Sequence, residues 1–203
     1  MSIVTYNNRS IANISAIPGA AKSLTHIKTL TASSSSTLSF VNGSDDVVLD
    51  STYPIYLFKF ISIHAGAQGG FSFNFRDGST DYDATKTTTH LYAYQNEAGN
   101  STGLTYTAGY DIAQGTGFQR IGDDLTTDND HTLSGEMFLF NPSSTTFVKH
   151  FTGTMQYNSA TQSTNAFVAG YCNVTAAIDA VQFKMTTGNL DAGTIKLYGI
   201  KDS

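Results

Sequence analysis

Apolar and polar residues alternate along most of this chain, and the period is two. In Phe71-Ser72-Phe73-Asn74-Phe75 three phenylalanines share one face, with Ser72 and Asn74 on the other. A strand with one side in a core has this pattern. Tyr56, Phe58 and Phe60 alternate with Leu57, Lys59 and Ile61, so residues 53–64 read as a central strand with both faces buried. The glycine-rich link 65–70 is expected to join these two segments as a hairpin, closed by Asp77-Gly78. Val181, Phe183 and Met185 alternate with Gln182 and Lys184. Further strands are expected at 24–30, 38–41, 47–49, 88–94, 133–140, 147–155, 166–172, 178–185 and 193–200. Asn42-Gly43 and Thr187-Gly188-Asn189 supply turns between them. About ten strands at the spacing of a sandwich, and no sustained helical period, predict an all-β chain. The expected architecture is an antiparallel β-sandwich, with a jelly roll as the expected arrangement.

Two regions depart from the alternation. Residues 1–20 mix Asn and Ser with isolated apolar side chains and close at Pro18-Gly19. They read as an N-terminal arm, with 21–203 as the sandwich domain. Ile3, Tyr6, Ile11, Ile14 and Ile17 are the arm residues expected to dock on a neighbouring subunit. The segment 95–130 is rich in glycine and is too long for a structureless loop in a compact domain. It reads as an elaborated loop with one or two short strands, a place where binding surfaces are often built. Tyr106, Tyr110 and Phe118 are its candidate surface-binding residues. Tyr92 or Tyr94 is expected in the core, and Tyr106 and Tyr110 stay open between core and surface.

Composition narrows the function classes. The 203 residues suit one domain. Hydrophobic residues make up 40% and charged residues only 13%, about half the usual charged share. Ser and Thr together account for about a quarter of the chain, which suits turn-rich β structure. Net charge is −5 and the isoelectric point about 5.3. The 11 Lys and Arg are scattered, so no basic stripe for nucleic acid forms. There is no basic amphipathic face and no apolar run near membrane-spanning length, so membrane insertion is not expected. Residues 1–9 lack a secretory pattern. The chain is expected to be made in a cytoplasm and to leave by a route such as cell lysis.

The residues that could carry chemistry are dispersed. Cys172, the single cysteine, lies in an apolar strand and reads as core. His26, His64, His90, His131 and His150 show no zinc spacing. Asp77, Asp81 and Asp83 form one acidic loop, and Asp123, Asp124, Asp128 and Asp130 another. Neither matches a calcium loop, and Asx turns account for them more simply. Glu136 and Asp179 are the main strand-borne acids, and neither has a visible carboxylate partner for glycoside cleavage. Gly115-Thr116-Gly117 lacks the third glycine and the helix of a nucleotide loop, and no Gly-x-Ser-x-Gly occurs. No catalytic residue, metal or cofactor is expected, and the chain is not expected to be an enzyme.

Three stretches carry a resemblance: 43–75 (GSDDVVLDSTYPIYLFKFISIHAGAQGGFSFNF), 138–151 (FLFNPSSTTFVKHF) and 178–200 (IDAVQFKMTTGNLDAGTIKLYGI). Together they resemble small β proteins of tailed bacteriophages of marine bacteria, with 178–200 the most specific part. The resemblance implies a virion structural protein, either a capsid decoration or a fibre or spike component. The implied partners are other virion proteins and copies of itself, with a trimer as one expected form. A host surface glycan is the alternative partner, as for a receptor-binding module of a tail fibre.

Overall fold

The computed structural model describes residues 23–159 and 161–201. The arm residues Ile3, Tyr6, Ile11, Ile14 and Ile17 lie outside the described residues. Within them the chain runs β1 (Leu24–Thr31), β2 (Leu38–Val41), β3 (Ile55–Ala65), β4 (Gly69–Arg76), β5 (Lys86–Asn96), β6 (Thr102–Tyr106), a 3-10 turn (Ala108–Tyr110), β7 (Gln119–Leu125), β8 (Thr132–Phe140), β9 (Lys149–Ser159), β10 (Gln162–Cys172), β11 (Ala180–Met185) and β12 (Leu190–Ile200). These strands form two antiparallel sheets packed face to face. One has eight strands in the order β1-β12-β3-β8-β9-β10-β5-β6; the other has four, β2-β11-β4-β7.

Set aside β5, β6, β9 and β10, and eight strands remain in two sheets of four. Their pairing is nested: β1 with β12, β2 with β11, β3 with β8, and β4 with β7. First pairs with last, second with second-last, and so inward. The other four strands extend the larger sheet past β8.

The core lies between the two sheets and is built of phenylalanine. Phe183 on β11 sits 5.2–6.3 Å, centroid to centroid, from the rings of Phe40, Phe58, Phe60, Phe71 and Phe73. All six rings are buried. Such aromatic pairs contribute roughly 0.5–1.5 kcal/mol each beyond the area they bury.

The expected hairpin between 53–64 and 71–75 does not form. β3 belongs to the larger sheet and β4 to the smaller one, so 66–68 is a crossover. The two strands put their aromatic faces toward each other, with Phe60 and Phe71 edge to face at 5.3 Å. Gly70 allows β7 to pair closely with β4, since a Cβ there would lie 2.8 Å from the Gly122 carbonyl. β3 is also not buried on both faces, because Lys59, Ile61 and Ser62 are exposed on the outside of the sheet.

Two smaller expectations also change. Val47 and Leu49 are buried but form no strand; the Asn42 side chain accepts the Leu49 N–H at 2.9 Å and holds the segment as a loop. Phe147 is 69% exposed and precedes β9, because the Ser144 hydroxyl accepts the N–H groups of Thr146 and Phe147 in a turn.

Candidate functional site

The inward face of β5, one of the added strands, is polar. It reads Lys86, Thr88, His90, Tyr92, Tyr94. The smaller sheet ends at β7, so a loop covers β5 instead. Lys86 and Gly115 exchange backbone hydrogen bonds, Ile112 accepts from the Thr88 N–H, and Thr107 donates to the His90 carbonyl. The segment 107–118, expected as part of a long loop, thus acts as a lid on β5.

The buried lysines at this end of the sheet are satisfied by backbone carbonyls. Lys86 Nζ donates to the carbonyls of Ala84 (2.9 Å) and Gly117 (2.8 Å). Lys149 Nζ donates to Val174 (3.0 Å) and Ala176. Both lysines are fully buried and flank Cys172, their register partner on the strand between. Burial pulls Lys86 down to about 8 and pushes the Cys172 thiol up to about 12. The thiol is therefore inert packing. Gln119 bridges the layers, accepting from Thr88 Oγ1 and donating to the Tyr110 carbonyl at 3.1 Å.

Where the lid, β7 and the far ends of β9 and β10 meet, a cleft of about 300 Å³ opens. It is lined by Tyr92, Thr107, Tyr110, Asp123, Asp124, Tyr157, Ser159, Gln162 and Thr164. Tyr92, Tyr157, Ser159, Gln162 and Thr164 all stand on the inward face of the larger sheet. Asp123 and Asp124 are consecutive, and strict alternation would send one of them to the opposite face. A bulge in the β4–β7 register near Gly122 and a left-handed backbone at Asp124 (φ 54°) turn both into the cleft. Bulges and left-handed non-glycine residues often re-aim side chains next to binding sites.

Each carboxylate is already anchored. Asp123 accepts from Arg120 at 2.8 Å and from the Tyr110 hydroxyl. Asp124 accepts from Ser159 Oγ at 2.8 Å and from Gln68. The Arg120 guanidinium lies 4.5 Å from the Tyr110 ring centre. Burial and the Asp123 bond raise the Tyr110 phenol above its ordinary value, and burial does the same for Tyr157. Thr107 Oγ1 is buried without a partner. Behind Tyr110, at 5.2 Å between ring centres, His90 is fully buried with neither ring nitrogen bonded. Burial lowers its pKa.

Of the three residues singled out from sequence, only Tyr110 lines the cleft. Tyr106 stands 59% exposed on the outer face of β6 and donates to Asp111. Phe118 is half-buried beneath Lys184 Nζ at 4.0 Å. Tyr92 packs partly against the core and also lines the cleft. The strand acids weighed earlier lie elsewhere: Glu136 meets Lys59 at 3.5 Å in solvent, and Asp179 takes a two-pronged bond from Arg76. Asp123 and Asp124, read as loop acids, stand on β7. Among the described residues, no three His, Cys, Asp or Glu side chains converge as a metal site would require. No protein-family model, curated protein or solved structure matches the chain.

The larger sheet also has a second distinctive surface. On its outer face Phe167, Leu91 and Tyr106 lie side by side across β10, β5 and β6, with Ala93 and Leu104 in the next row. Leu104 is 75% exposed and Phe167 42%. Among the described residues β6 has a neighbour on one side only, and its other backbone edge is open to them.

Proposed function

We infer that this chain is a non-catalytic virion protein of a tailed bacteriophage, acting by assembly with copies of itself and with other virion proteins on a jelly-roll scaffold. The nested pairing of first strand with last, inward to β4 with β7, supports the jelly-roll reading, because one long hairpin rolled on itself gives that order. The resemblance of 43–75, 138–151 and 178–200 supports the phage origin. One observation carries the assembly reading: the apolar patch of Phe167, Leu104 and Tyr106 beside the open edge of β6. Large apolar side chains grouped along an unpaired edge, in a chain with few charges to repel association, fit a protein contact.

The test is the mass in solution of the full chain by analytical ultracentrifugation. The wild type sediments as an oligomer. Leu104→Asp combined with Phe167→Asp lowers the mass to that of a monomer while the β-sheet circular dichroism is retained. A wild type that stays monomeric up to about 0.1 mM, where a micromolar contact would be saturated, would overturn the reading. An oligomer indifferent to both substitutions would do the same.

A further inference from the structure

We propose that the cleft between the 107–118 lid, β7 and the ends of β9 and β10 is a binding site for a neutral sugar unit of a glycan. This inference stands apart from the assembly surface, which lies on the opposite face of the same sheet. Its volume of about 300 Å³ is at the small end for ligand pockets and suits one or two sugar rings rather than a peptide or a nucleotide.

The lining matches the chemistry of a pyranose. Sugar hydroxyls both donate and accept, so they need acceptors and donors at close quarters. Asp123 and Asp124 accept only, while Gln162, Ser159 and Thr107 can do both. Thr107 Oγ1 is buried with no protein partner, an uncommon and costly state that a ligand hydroxyl would relieve. The C–H faces of a sugar ring need an apolar surface, and the rings of Tyr92 and Tyr110 line the cleft.

Charge selects the neutral class. The cation beside the cleft, Arg120, is already held by Asp123 at 2.8 Å and lies over Tyr110. Among the described residues, an acidic sugar would meet two carboxylates and no free counter-charge. A cationic ligand would have to displace Arg120 from Asp123, or Ser159 and Gln68 from Asp124. A neutral polyol can instead use the remaining lone pairs of both carboxylates without breaking those bonds. The anchoring also fixes the two carboxylates before any ligand arrives, so little side-chain freedom is lost on binding.

The geometry at Asp124 points the same way. A bulge and a left-handed non-glycine residue at one position are strained features. In this fold their effect is to bring a second acceptor into the cleft.

The experiment titrates the full chain with glucose, galactose, mannose, N-acetylglucosamine and their disaccharides. Glucuronic acid and glucosamine serve as charged comparators. The readout is saturation-transfer NMR, with amide shifts for affinity. At least one neutral sugar binds, and better than either charged comparator. Tyr110→Ala and Asp124→Ala each weaken that binding about tenfold or more, the loss expected for one well-placed contact. Asp124→Asn keeps the side-chain shape and one of the two acceptor oxygens, so it separates lost hydrogen bonding from lost folding and weakens binding less than Asp124→Ala. Thermal melting verifies that each variant is folded. Failure of every neutral sugar to bind at about 20 mM, well above a millimolar dissociation constant, would overturn the proposal. Preferential binding of a charged comparator, or binding indifferent to Asp124→Ala, would overturn it equally.

Discussion

The two ends of the larger sheet are built on opposite principles. At the β12-β3-β8 end, inward positions are phenylalanine and aliphatic, and the second sheet covers them. At the β5 end, the inward positions Lys86, Thr88 and His90 are polar, and a loop covers them. The first end is held by apolar area removed from water, which is non-directional and tolerates small shifts. The second is held largely by named donors and acceptors that find specific partners, with His90 the buried exception. The cleft and the apolar edge lie at the second end. A surface that recognises something must place polar groups with precision, and a purely apolar core offers none.

Four substitutions would break or sharpen this contrast. Phe183→Ala empties the centre of the phenylalanine cluster and should destabilise the fold by about 3–5 kcal/mol, read as a lower urea midpoint with the slope unchanged. A loss under about 1 kcal/mol would show that the cluster collapses around the gap and is not the mainstay of the fold.

Lys86→Ala should cost about 1–3 kcal/mol, because the carbonyls of Ala84 and Gly117 lose their donor. The damage should be regional, with amide exchange accelerating in 107–118 while β3 and β11 stay protected. The pH profile adds a signature. Lys86 titrates near 8 in the fold and at 10.5 when unperturbed, so between those values the unfolded chain holds more protons and stability rises with pH. The difference in stability between wild type and Lys86→Ala should change across that window and stay flat below it.

Tyr110→Phe removes the bond to Asp123 while keeping the ring and should cost about 0.5–1.5 kcal/mol. Thermal melts at one pH suffice to check it. A larger loss would mean that the cleft wall supports the fold as well as shaping the site.

The smallest effect at neutral pH is expected from His90→Leu. His90 is buried with both nitrogens unbonded, so an apolar replacement should leave stability at pH 7 unchanged or slightly higher. Its folded pKa is depressed below 6.5. As pH falls below 6.5, the unfolded wild type takes up a proton that the fold resists, and wild-type stability declines. His90→Leu lacks that term, so its margin over wild type should widen from pH 7 to pH 5. Parallel melting curves for the two proteins across that range would refute it.

The fold class was legible because alternation is local. Phe71, Phe73 and Phe75 must share a face in any strand, and so must Val181, Phe183 and Met185. Strand partners were less legible. The pattern in 53–75 is compatible with a hairpin or a crossover, and only the need to bring Phe60 against Phe71 decided for the crossover. The cleft was mostly illegible. Tyr110 could be singled out as an aromatic in a glycine-rich excursion. Asp123 and Asp124 read as solvated loop acids, since nothing in Gly122-Asp123-Asp124 announces a bulge or a left-handed backbone. Tyr157, Gln162 and Thr164 read as ordinary strand positions.

The sequence by itself determined that this chain forms antiparallel strands with aromatic inner faces, because side-chain direction along a strand depends only on parity. Tertiary structure alone decided which strands pair, that four of them extend the larger sheet past β8, and that residues from four strands and a lid meet in one cleft. Those outcomes rest on contacts between residues far apart in the chain, and such contacts exist only once the two sheets have closed on each other.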